Sequence, residues 1–198
     1  MQQRNLAVRI ASAAISLFRR SDASIDRGSA LARARFDTRK WTPELLKHLE
    51  WRRFQELCAA YVEAAGIDAG TVVRCKPWDA YRIGIKAVRE VRAAMTEAGA
   101  SQGMLVTSGR FTPEAVAFAA KENIQLVDGA GFLEKIAGLA PEQSAALLKL
   151  ATQGDFLTPS CPSCEVKMAA RRSTQGGRTF WGCTNYPRCK QTLAATAT

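Results

Sequence analysis

Histidine is almost absent from this chain: His48 is the only one among 198 residues. It reads as an exposed helix residue with no second catalytic group beside it, and no Ser, His and Asp constellation can be assembled around it. A phosphate-cradling glycine loop is also missing, and nothing indicates a small-molecule substrate. No stretch reaches the roughly 18 to 20 uninterrupted apolar residues that a spanning helix needs. Residues 6–18 come closest, but Arg9 interrupts them, which also argues against a cleaved secretory signal. Their Leu, Ile and Phe fall on one helical face and their Arg and Ser on the other, so a surface-lying or targeting helix and a plain leader both remain open. Membrane association is not the expectation.

Acidic side chains are scarce too. Eighteen Asp plus Glu face 28 Lys plus Arg, giving a formal charge of +10 and a pI near 9.7. Such a surplus favours a polyanionic partner. Its distribution is uneven: residues 1–40 hold 9 basic and 3 acidic groups, residues 41–157 hold 13 and 14, and residues 158–198 hold 6 and 1. Two positive ends around a neutral body suggest two separate contacts with a phosphate backbone. With 47% apolar and 23% charged residues, the composition is that of one or two globular domains.

Residues 1–40 read as a basic leader and linker. From Thr42, an N-cap with Pro43 behind it, the spacing predicts one helix toward Ala65, stopped by Gly66. Residues 71–76 alternate as a strand, with Val73 and Cys75 on one side and Val72, Arg74 and Lys76 on the other. A helix over 84–98, a buried strand over 103–107, a helix from Thr112–Pro113 toward Asn123, a strand over 124–127 and helices over 131–138 and 141–151 follow. This order predicts an α/β domain over 41–152, a sheet covered by helices with parallel crossovers. A linker over 153–159 and a small module over 160–193 complete the chain.

The six cysteines are not arranged as a disulfide framework. Cys58 and Cys75 stand singly, whereas Cys161, Cys164, Cys183 and Cys189 crowd the last 38 residues, with 18 residues between the two pairs. Four thiolates in two pairs can close a tetrahedral shell around zinc, a structural metal in a reducing compartment, here expected to be the cytoplasm. The segments CPSC and RTFWGCTNYPRC resemble the four-cysteine zinc finger at the C-terminus of bacterial type I topoisomerases, over about residues 160–193. One departure is Glu165, where that family usually has Gly after the second cysteine. The resemblance implies DNA binding, often to single strands. Phe180, Trp181 and Tyr186 lie close to Arg171, Arg172, Arg178, Arg188 and Lys190, the mixture of stacking faces and charge that single strands require. One of the three aromatics is expected to be structural, because so small a module has few other ways to cover a metal site.

Three further segments, residues 49–66, 72–95 and 103–136, resemble the Mrr-like restriction endonuclease family, whose domain has the PD-(D/E)xK nuclease fold. The VxCKPW stretch, the VTSGxFTPEA stretch and the closing LVDG occur in the family's order, over about residues 44–138. The resemblance implies magnesium-dependent cleavage of DNA phosphodiesters, with Lys76 matching the family's lysine and Asp68 the only carboxylate left for the metal in the shortened segment 67–73. Two other positions depart from the pattern. Arg74 stands where the family has Gln or Glu, and Gln55 where the first helix usually offers Glu. A cation cannot replace an oxygen ligand. The two readings are therefore a DNA-cleaving enzyme and a DNA-binding module that keeps the nuclease fold; oligomeric state stays open between monomer and homo-oligomer.

Overall fold

The computed structural model describes residues 36–76, 82–173, 177 and 179–194. Most of the basic leader, together with Trp78, Asp79, Tyr81 and Arg178, lies outside the described residues. Among the described residues, no helix is long and apolar enough to cross a membrane.

The chain enters its first helix, α1 (Pro43–His48), with Thr42 Oγ1 accepting from Leu45 N at 3.0 Å. The single long helix expected from Thr42 to Ala65 is two: α2 (Trp51–Ala64) starts anew after Leu49 and Glu50, which turn to extended backbone at ψ 131° and 152°. Tertiary bonding overrides the local periodicity at this point. The Glu50 amide donates to Phe156 O at 2.9 Å, and its carboxylate caps Arg52 N at 3.1 Å.

The sheet follows the expected order closely. Strands β1 (Thr71–Lys76), β3 (Gln102–Thr107) and β5 (Ile124–Val127) are parallel, in the order β1-β3-β5. Helix α3 (Ile85–Ala98) connects the first pair and α4 (Pro113–Lys121) the second. Both cover one face, where Val88, Val91, Met95, Ala115 and Ala119 pack on Leu105 and Ile124. The other face carries Met104, Val106 and Val127 under α1, α2, α5 (Gly129–Ala137) and α6 (Pro141–Thr152). Period-two alternation decides which strand residue meets which layer. Helix α3 lies so close that a Cβ on Gly103 would sit 2.7 Å from Met95 Sδ and 2.9 Å from Val91 Cγ1. Two short strands that the periodicity does not reveal, β2 (Arg82–Ile83) and β4 (Arg110–Phe111), pair in parallel beside the helix starts. Two residues are too few to show a period.

The segment 153–159 is a packed strap. Phe156 is fully buried in the main core, and Asp155 Oδ1 accepts from Leu157 N and Thr158 N at 3.2 and 2.9 Å. It delivers the chain to a small antiparallel sheet, β6 (Met168–Arg172), β7 (Thr179–Cys183) and β8 (Thr192–Ala194), in the order β6-β7-β8.

Candidate nucleic-acid interface and metal centre

The two cysteine pairs sit on tight turns whose backbone closes on itself. Cys161 N donates to Val166 O at 2.8 Å and Glu165 N to Cys161 O at 2.9 Å; in the second turn Cys189 N donates to Asn185 O at 3.1 Å. The four sulfurs converge, all within 4.8 Å of one another, with Cys161 and Cys189 3.6 Å apart and Cys164 and Cys183 3.3 Å apart. A zinc ion about 2.3 Å from each sulfur sets sulfur–sulfur separations of about 3.8 Å, so the donor set and its spacing fit zinc. Asn185 supports two of the sulfurs, its amide 3.4 Å from Cys183 Sγ and its Nδ2 3.4 Å from Cys164 Sγ. The thiols differ in acidity. At Cys161 the upward push of burial is outweighed by the Ser163 and Cys164 amides and the neighbouring thiols, bringing it down to about 7, whereas burial pushes Cys183 up to about 12. Glu165, the departure from the family's glycine, takes φ +62°, the left-handed region glycine favours, and its carboxylate reaches Arg52 Nη1 at 2.9 Å.

Strand register sorts the aromatic residues. Trp181 pairs with Ala170 and Leu193, and it packs with Cys161, Met168 and Cys183 in the ribbon core. Of the three aromatics it is the one packed against that core. Phe180 pairs with Arg171 on the opposite face. Arg171 lies flat across that face, because a Cβ on Gly182 would come within 2.7 Å of Arg171 Cδ and 2.9 Å of its Nε. Tyr186 is 62% exposed on the second turn, and Arg172, Arg188 and Lys190 are exposed as well. The Cys183 side chain must face the metal; counting back by two puts Trp181 on the metal face and Phe180 on the other, a signal that was present in the sequence.

In the α/β domain, Arg74 and Lys76 share one side of β1 as the alternation requires, while Val73 and Cys75 pack on the α2 side. Cys75 lies next to Cys58, whose thiol is pushed well up, first by burial and then by the Cys75 hydrogen bond. Glu90 of α3, which sequence reasoning missed, places Oε2 2.9 Å from Lys76 Nζ. The Lys76 hydrogen bond, with the charges of Lys76, Lys86 and Arg74, holds Glu90 below the usual carboxylate range. No spacing rule links positions 76 and 90; the crossover brings them together.

Asp68 and Lys76 are not brought together. Asp68 is at the amino end of β1, where its carbonyl accepts from Thr71 N at 3.2 Å and its Oδ1 from Gly70 N at 2.7 Å. Lys76 closes the carboxyl end, and the strand between them alone spans about 16 Å. One ion cannot be shared across that length. Gln55 is exposed on α2, which packs on the other face of β1. Among the described residues, the only group of three or more metal-ligating side chains is the cysteine cluster. Among the described residues, the groups around Lys76 are therefore one ion-paired carboxylate, Glu90, beside several cations, and this set does not fit magnesium. Two further cations of α3 have protein partners: Arg92 Nε is 2.6 Å from Glu122 Oε2, and Arg89 lies 5.7 Å from the centre of the Phe118 ring.

A parallel sheet with helices on both faces, joined to a four-sulfur ribbon, defines a chain of two modules. Residues 68–136 match the family model described as restriction endonuclease, and residues 159–197 match that described as topoisomerase DNA binding C4 zinc finger. The two occur in the order the motifs imply. No curated protein matches the chain.

Proposed function

We propose that this is a DNA-binding protein of the reducing cytoplasm in which the zinc ribbon grips nucleic acid, single strands included, and the restriction-endonuclease-type domain contributes its fold and basic groups without magnesium-dependent cleavage. DNA as the partner is supported by both family matches and by the net charge. Half-buried Phe180, paired with exposed Arg171, supplies a stacking face beside a backbone charge, and exposed Tyr186 a second stacking face.

The observation that carries the non-cleaving reading is the neighbourhood of Lys76. A hard cation needs several oxygen ligands and repels cations, yet Arg74 stands where the family offers an oxygen and Lys76 is paired with Glu90. The family match favours the alternative, an active nuclease, so the two are separated by experiment. Purified protein incubated with supercoiled plasmid and magnesium is expected to shift the plasmid in a gel without nicking it, and Lys76→Ala is expected to leave the plasmid equally intact. Nicking by the wild type that Lys76→Ala abolishes would overturn the non-cleaving reading.

A further inference from the structure

The junction between the two modules is built around one buried carboxylate. Glu50 stands at the start of α2 and is only 3% exposed. Its Oε1 accepts from Ser160 Oγ and Lys167 Nζ, each at 3.0 Å, and its Oε2 from Ser160 N at 3.2 Å and from Arg52 N at 3.1 Å. Three of these four bonds come from the ribbon side. Ser160 immediately precedes the metal-ligand turn and forms a bridge with Lys167, which follows that turn. Lys167 also donates to Thr158 O at 2.8 Å, Trp51 Nε1 donates to Ser160 O at 2.7 Å, and Arg52 pairs with Glu165.

From this arrangement we infer that Glu50 couples metal occupancy of the cysteine site to the folding of the α/β domain, so that the ribbon is a metal-dependent brace on the start of α2 and not an independent appendage. The physical reason lies in the position of the donors. A module of this size depends on its metal for folding, and both Ser160 and Lys167 take their positions from the turn that the first cysteine pair closes. When the turn unfolds, Glu50 loses three of its four partners. A desolvated carboxylate cannot remain buried with one local amide, so the start of α2 and the strap carrying Phe156 must open. The Glu165–Arg52 pair works in the same direction: the side chain that sits in a glycine-type conformation is the one that reaches across the junction.

The inference rests on the zinc reading of the ribbon, and the test separates the two. Metal content of the purified full chain is measured first, and hydrogen exchange is then followed with zinc bound and after chelation. Removal of zinc is expected to accelerate exchange in residues 49–54 and 154–160 by at least about tenfold, with α5 changing far less. Glu50→Gln places an amide donor against the donors of Ser160 and Lys167, and it is expected to retain zinc while losing most of this metal-dependent difference. Lys167→Met attacks the same contact from the ribbon and serves if Glu50→Gln fails to fold. A zinc-loaded protein whose residues 49–54 exchange at the same rate after chelation would overturn the coupling alone. A purified protein without zinc would contradict both the coupling and the ribbon reading.

Discussion

Cys164→Ser is expected to abolish stoichiometric zinc binding and to unfold β6, β7 and β8. Structural zinc in finger peptides contributes about 10–16 kcal/mol of apparent binding free energy, which in such modules is folding free energy. The apolar material available to replace it is small: among the described residues of the ribbon core, Met168 and the two most enclosed cysteines are buried, with Val166, Trp181 and Leu193 partly covered around them. Serine cannot supply a thiolate, and the change also removes the sulfur that Asn185 Nδ2 approaches at 3.4 Å. Metal analysis checks the first part of the expectation. Loss of exchange protection across residues 168–183 checks the second. A variant that still holds one zinc per chain with the ribbon protected would show that three thiolates suffice and that the fourth ligand is dispensable.

The second large effect is expected in the α/β core. Phe132 is fully buried on α5, with its ring centre 5.9 Å from Phe54 at 71° and 5.2 Å from Tyr61 at 80°. These edge-on contacts join α5 to α2, so truncation removes apolar burial and leaves a cavity bounded by two rings that cannot both collapse into it. Phe132→Ala is expected to cost about 3–5 kcal/mol, a large share of the roughly 5–15 kcal/mol that a domain has in total. In urea the midpoint falls while the slope is kept. A loss below about 1 kcal/mol would mean that α5 does not lock α2 in place.

Much of this architecture was legible in the residues, and the exceptions have physical reasons. Strands β1 and β5 lie where alternation and short apolar runs place them, because a one-residue slip would move every side chain to the wrong layer. Thr112 marks a helix start by the same chemistry in the sequence and in the fold, its side-chain oxygen accepting from Ala115 N, whereas the helix expected from residue 131 begins earlier, at Gly129, because Asp128 Oδ1 accepts from Gly131 N. The break at Glu50 was not legible. Its cause is a partner more than a hundred positions away, and a local pattern cannot report a carboxylate bonded to Ser160 and Lys167. Residues 153–159 carry Gly, Asp, Thr and Pro and read as a spacer, although the fully buried Phe156 inside them anchors the strap.

The metal centre and the nuclease-like face differ in legibility for a related reason. Four thiolates at paired spacing define their own chemistry, and the converging sulfurs agree with it. The environment of Lys76 depends on the path of the crossover helix, so Glu90 could not be foreseen. Strand length alone separates Asp68 from Lys76, and that separation is legible in the sequence.

Binding of DNA by the zinc-loaded chain is the property on which the proposed function depends. Fluorescence anisotropy of a labelled single-stranded oligonucleotide, titrated at several salt concentrations, measures it. The expected result is saturable binding at low ionic strength that weakens linearly in log–log form as salt rises, with Phe180→Ala lowering affinity by roughly one stacking contact, about 1–3 kcal/mol. A zinc-loaded protein that leaves the anisotropy unchanged at low salt, for single strands and duplex alike, would contradict the account.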